Sequence, residues 1–110
     1  MAYAEKLAAR IRQALARYKA VAEIKMFGGL CFTLRGNMCC GIHKNNLMVR
    51  VGPKHYEEAL SKPHARPMDI TGRPLRGFVF VGPGGYRTDK GLTQWVKLAA
   101  DFALSLPPKS

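Results

Sequence analysis

Three short segments rich in β-formers, residues 30–35, 38–43 and 47–51, follow one another with only Gly36-Asn37 and Lys44-Asn45-Asn46 between them. Connections of two or three residues join antiparallel neighbours, because a parallel crossover needs a dozen or more. The middle of the chain is thereby committed to a three-stranded antiparallel meander, led into by Glu23-Ile-Lys-Met-Phe-Gly-Gly. Everything before and after has to pack on that sheet.

Before it, Leu7, Ile11, Leu15 and Tyr18 recur at helical spacing and predict an amphipathic helix over residues 4–19. Lys6, Arg10, Gln13 and Arg17 follow the same spacing about a third of a turn away and form a basic ridge. After the meander, Gly52-Pro53 introduces a short helix over residues 54–60, with Tyr56 one turn from Leu60. Pro63, Pro67 and Pro74 then confine any strand near Met68 to Ile70 to irregular or edge structure. Residues 76–81, Arg-Gly-Phe-Val-Phe-Val, read as a buried strand with Phe78 and Phe80 facing the core. Gly82-Pro-Gly-Gly reads as a plain turn. Thr88 suits the N-cap of a long helix whose Leu92, Trp95, Val96, Ala99, Phe102, Ala103 and Leu106 share a face, ended by Pro107-Pro108. The expected fold is α+β: helix, three strands, short helix, two strands, and a long C-terminal helix packed on one face of the sheet.

A length of 110 residues with 47% apolar content supplies one core, so residues 1–110 are expected to form a single domain. No apolar stretch is long enough to span a bilayer. Charges interrupt the N-terminal alanines where a signal peptide would be apolar, so neither membrane insertion nor export is expected. The three cysteines Cys31, Cys39 and Cys40 make a poor disulfide framework, which fits a reducing cytoplasm. A formal charge of +11 makes polyanions the first partners to weigh, although solubility alone would also explain it.

No set of residues spells out a reaction. Cys39-Cys40 with His43 matches no zinc spacing; a turn at Gly36-Asn37 would put Cys31 and Cys40 diagonally on one sheet face, where buried free cysteine is ordinary. His43, His55 and His64 give no sign of serving as a base for a thiol nucleophile. Glu57, Glu58, Asp69, Asp89 and Asp101 show no paired arrangement for acid/base work. The glycine loop at Gly82 lacks phosphate-loop spacing, and Asp89 already occupies the positive end of the helix that follows. The strand at residues 76–81 approaches an RNA-binding aromatic pattern, but Val79 and Pro83 depart from it and the element order is wrong. No catalytic residue, metal ligand or cofactor site is expected.

Met26-Phe-Gly-Gly-Leu after an amphipathic helix is followed by Gly36, Met38, Gly41-Ile42, Leu47-Met-Val-Arg-Val, Gly72-Arg-Pro, Phe78-Val-Phe, then Leu92, Trp95-Val96 and Ala99 to Ala103. This ordered set resembles the N-terminal domain of the TfoX/Sxy family of bacterial competence regulators, here as a free-standing single domain. The resemblance implies an α+β fold with one curved sheet, no established catalytic residue, and a family motif at Met26, Phe27, Gly28 and Gly29. That motif reads physically as a turn that needs glycine's freedom, with Phe27 anchoring the core.

The resemblance and the missing catalytic constellation together point to a non-enzymatic, cytoplasmic protein-interaction module, a transcription-associated adaptor or co-regulator that contacts a protein partner through a sheet edge or face. Direct nucleic-acid binding is the alternative, through Lys6, Arg10 and Arg17 on the first helix and Lys62, Arg66, Arg73 and Arg76 in the proline-rich loop. A homodimer through an apolar surface is compatible with either.

Overall fold

The computed structural model describes residues 5–26, 28–69 and 72–108, and of Met26 the backbone alone. The first helix, α1 (Glu5–Leu15), buries Leu7, Ala8, Ile11 and Leu15, the face its spacing predicts. It stops at Leu15, short of the expected residue 19, because the chain reverses through turn bonds from Ala16 and Tyr18 and through Ala20, whose φ is 60°.

The meander holds four strands, one more than expected: β1 (Val21–Met26), β2 (Gly29–Leu34), β3 (Asn37–His43) and β4 (Asn46–Arg50). The added strand is β1, whose Ala22 to Lys25 are exposed and so carry no burial pattern in the sequence. Arg35 (φ 56°) and Gly36 (φ 84°) form the β2–β3 turn, both with the positive φ that matches strand twist in two-residue hairpins. The turn lies one residue earlier than Gly36-Asn37, which frees Asn37 to open β3, where its buried side-chain amide donates to the Pro107 carbonyl at 2.9 Å.

That displacement is absorbed by a bulge. Thr33 pairs with Met38 but Phe32 with Cys40, leaving Cys39 as the extra residue. Cys39 and Cys40 therefore both enter the main core, and Cys31, opposite Gly41, faces the other side of the sheet. The expectation that Cys31 and Cys40 share a face fails for this reason.

Helix α2 (Tyr56–Leu60), edge strand β5 (Ala65–Pro67) and β6 (Phe78–Val81) follow. The short strand foreseen near Met68 lies at Ala65–Pro67, and the end of the foreseen segment at Ile70 is outside the described residues. β6 inserts between β4 and β5, so one antiparallel sheet runs in the order β1-β2-β3-β4-β6-β5. The glycine loop is a one-turn helix, α3 (Pro83–Tyr86), with proline at its start, where no N–H is missed. Thr88 caps α4 (Asp89–Ser105) by accepting the Gly91 N–H at 3.0 Å.

All four helices pack on one face. Leu30, Phe32, Leu34, Ile42, Leu47, Val49, Val79 and Val81 from the strands meet Leu92, Trp95, Val96, Ala99, Ala100 and Ala103 of α4. The three alanines, completely buried, let the α4 backbone lie close to the sheet. Each large side chain here contributes about 1.5–3 kcal/mol by leaving water.

Candidate interaction surfaces

The opposite face of the sheet holds a second, smaller cluster of Cys31, Met48, Met68 and Phe80, with Met38 and Phe78 half-buried beside it and no helix residue among its members. Alternation along β6 puts Phe78 and Phe80 on one face, as the sequence implies. It is not the main core: Val79 and Val81 point there instead. Phe80 is 5% exposed, with the His43 ring stacked 5.6 Å away at 10° and the Arg66 guanidinium 5.4 Å from its centroid. Arg50 lies 5.4 Å from Phe78 and 5.2 Å from Phe102, and its Nη1 donates to the Met38 carbonyl at 3.4 Å. Guanidiniums over aromatic faces are held by the ring quadrupole, which leaves their edges available to acceptors. Among the described residues neither Arg50 nor Arg66 meets a carboxylate.

The other basic residues singled out in the sequence lie in different surroundings. Lys6 is exposed on α1, whereas Arg17 is exposed in the turn beyond its end, off the ridge expected on the first helix and 5.5 Å from the Tyr18 ring. Arg10 reaches α4, where it donates to the Asp89 carboxylate at 3.3 Å and the Arg87 carbonyl at 3.4 Å. Lys62 borders a depression with Glu58, Gln94, Trp95 and Leu98 on the helix side, whereas Arg66 is on the opposite face. Arg73 and Arg76 are exposed in the segment before β6. The structure thus joins Arg66 to Arg50 and His43 through Phe78 and Phe80 and distributes the rest. Arg50 and His43 are the members of this face that charge counting did not select. Their signal was strand alternation with Met48 and Gly41.

Of the family motif, Met26 ends β1, Gly28 takes φ 74° in the turn, and Gly29 opens β2 opposite Met26. Phe27 lies outside the described residues. The thiols are buried: a hydrogen bond with Cys39, together with burial, pushes Cys40 well above the usual thiol range, and burial raises Cys31. Thiols held in the protonated form are weak nucleophiles and weak metal ligands. Three of the carboxylates lie in surface contacts, Asp101 with Lys97 at 2.9 Å, Glu58 with His55 at 3.9 Å and Glu23 with Arg12 at 2.7 Å. No helix among the described residues is long and apolar enough to cross a membrane.

Comparison with known proteins returned no match among curated sequences and none among solved structures. The family model described as the TfoX N-terminal domain matches residues 13–103, from the second half of α1 to the last turn of α4. With more than four-fifths of its length so matched and an α+β fold of one open sheet under a long C-terminal helix, the chain belongs to the TfoX N-terminal domain family.

Proposed function

We propose that this domain is a non-enzymatic interaction module, a transcription-associated adaptor of the TfoX type, which docks an acidic, apolar polypeptide segment on the sheet face opposite the helices. The observation that carries this reading is the pairing of half-buried Met38 and Phe78 with Arg50 and Arg66, two guanidiniums seated on aromatic rings without a carboxylate among the described residues. Methionine and phenylalanine adapt to an apolar side chain, and the arginines supply bidentate donors for a carboxylate. The net charge of +11 favours encounter with an acidic partner.

Methionine-methyl NMR tests it. Titration with peptides that alternate acidic and large apolar residues is expected to shift Met38, Met48 and Met68, and Arg50→Glu with Arg66→Glu should abolish the shifts. A short DNA duplex run in parallel that instead perturbs α1 and the loop before β6, with affinity falling steeply with salt, would replace this reading with direct nucleic-acid binding. Metal-dependent turnover by the purified protein would defeat both.

A further inference from the structure

The two edges of the sheet differ in kind. β5 is three residues long, carries Arg66 and ends in Pro67, features that close an edge to further pairing. β1 has six residues and no proline; Ala22, Glu23, Ile24 and Lys25 are exposed, Ile24 by 47%. Its free backbone groups can be assigned from the register. The Arg35 N–H donates to the Ala20 carbonyl at 3.0 Å, so that pair bonds inward, and bonded pairs alternate along an antiparallel ladder. Ala22 and Ile24, opposite Thr33 and Cys31, therefore bond to β2, whereas Val21, Glu23 and Lys25 direct N–H and C=O away from the sheet.

An incoming antiparallel strand has to set its own outward-directed residues against these. When that strand is a second copy of β1 related by a two-fold axis, four registers that pair three or more β1 residues satisfy the condition, and one of them, with the axis at Ala22, sets Glu23 against the uncharged Val21. An axis at Glu23 opposes carboxylate to carboxylate, and one at Lys25 opposes ammonium to ammonium. An axis at Ile24 sets Glu23 of each copy against Lys25 of the other and Ile24 against itself. Opposite charges directly across strands stabilise and like charges destabilise, so the strand complements itself in this register alone. Glu23 is already oriented, since Arg12 donates to both its oxygens at 2.7 and 2.8 Å on the helix side, and Ile24, opposite Cys31, lies on the other face.

We propose that the chain forms a symmetric homodimer in which β1 pairs antiparallel with β1 of a second copy about an axis at Ile24, continuing one sheet through both molecules. The surface is distinct from the docking face described above, and the two stand or fall separately. Sedimentation equilibrium on the full chain is expected to give a dimer. Lys25→Glu sets like charges at both pairs and should weaken association by about tenfold or more, as should Glu23→Lys. An equimolar mixture of the two variants restores attraction at both pairs and should form a one-to-one heterodimer. Lys25→Pro removes an outward N–H while sparing the β1–β2 ladder, and should give a monomer with native circular dichroism. A wild-type monomer at every concentration, a dimer that neither Lys25→Glu nor Lys25→Pro weakens, or folded single variants that fail to associate when mixed would overturn the proposal.

Discussion

Gly28 and Gly29 stand side by side in the family motif, and the structure gives them different tasks. An added Cβ at Gly28 has nothing within 4 Å, so alanine there suffers only from φ 74°. That conformation costs an L-residue about 1–2 kcal/mol, offset by about 0.4–1 kcal/mol from the reduced freedom of the unfolded chain, for a net loss near ~1 kcal/mol. Asparagine tolerates the left-handed region and should recover part of the loss. At Gly29 the added Cβ would run into the Ile42 carbonyl oxygen and lie 3.1 Å from the Ile42 carbonyl carbon and 3.4 Å from His43 Cα. These are backbone atoms, so no side chain can swing aside and β2 must move off β3 where Leu30 pairs with Ile42. Overpacking costs about 1–3 kcal/mol, and a rigid neighbour places Gly29→Ala near the top of that range. Urea unfolding followed by Trp95 fluorescence measures both, with a constant slope showing that stability alone has changed. The reasoning fails if Gly29→Ala is as mild as Gly28→Ala, or if Gly28→Asn is no better than Gly28→Ala.

Tyr86→Phe removes an O–H that donates to the Asn45 carbonyl at 2.6 Å, tying α3 to the β3–β4 turn, and should cost about 1 kcal/mol in the same assay. An aromatic disulfide reagent at neutral pH should label Cys31, Cys39 and Cys40 only at the rate of unfolding, because all three are buried and Cys31 and Cys40 are held as thiols. Rapid labelling of the native protein would contradict this. The Arg12 hydrogen bonds hold the Glu23 carboxyl below its ordinary value. Its contribution is therefore complete above the unfolded pKa of about 4.3 and disappears as pH falls through the lower folded value. Arg12→Ala should remove that part of the acid-side slope, and because both side chains are partly exposed the effect should stay below about 1 kcal/mol.

Elements that bury a regular face were legible in the sequence. α1 and α4 announced themselves by helical spacing, β2 to β4 by short β-rich segments between turns, and the confinement of the fifth strand to an edge by its prolines. β1 escaped notice because an exposed edge strand has no buried face to create alternation. α3 was hidden by Gly82-Pro-Gly-Gly, whose composition favours a turn, while its single helical turn is fixed by the neighbours of Tyr86. The Cys39 bulge has no local signature, yet it decides which cysteines share a face. Alternation at Phe78 and Phe80 shows that they point the same way, but which way depends on where the helices lie. For the same reason Arg50 and Arg66 could be counted as charges but not placed together.

The order of the sheet also sets a timetable. β1 to β4 pair with their immediate neighbours in sequence, so each contact closes a short loop and carries little entropic cost. β6 reaches β4 only across residues 51–77, and α4, which covers Leu30, Phe32, Ile42 and Val49, comes after every strand. During synthesis from the N-terminus the meander is therefore complete while its apolar face still lacks its main cover. Until α4 docks, the apolar face of the meander is the surface open to misassembly.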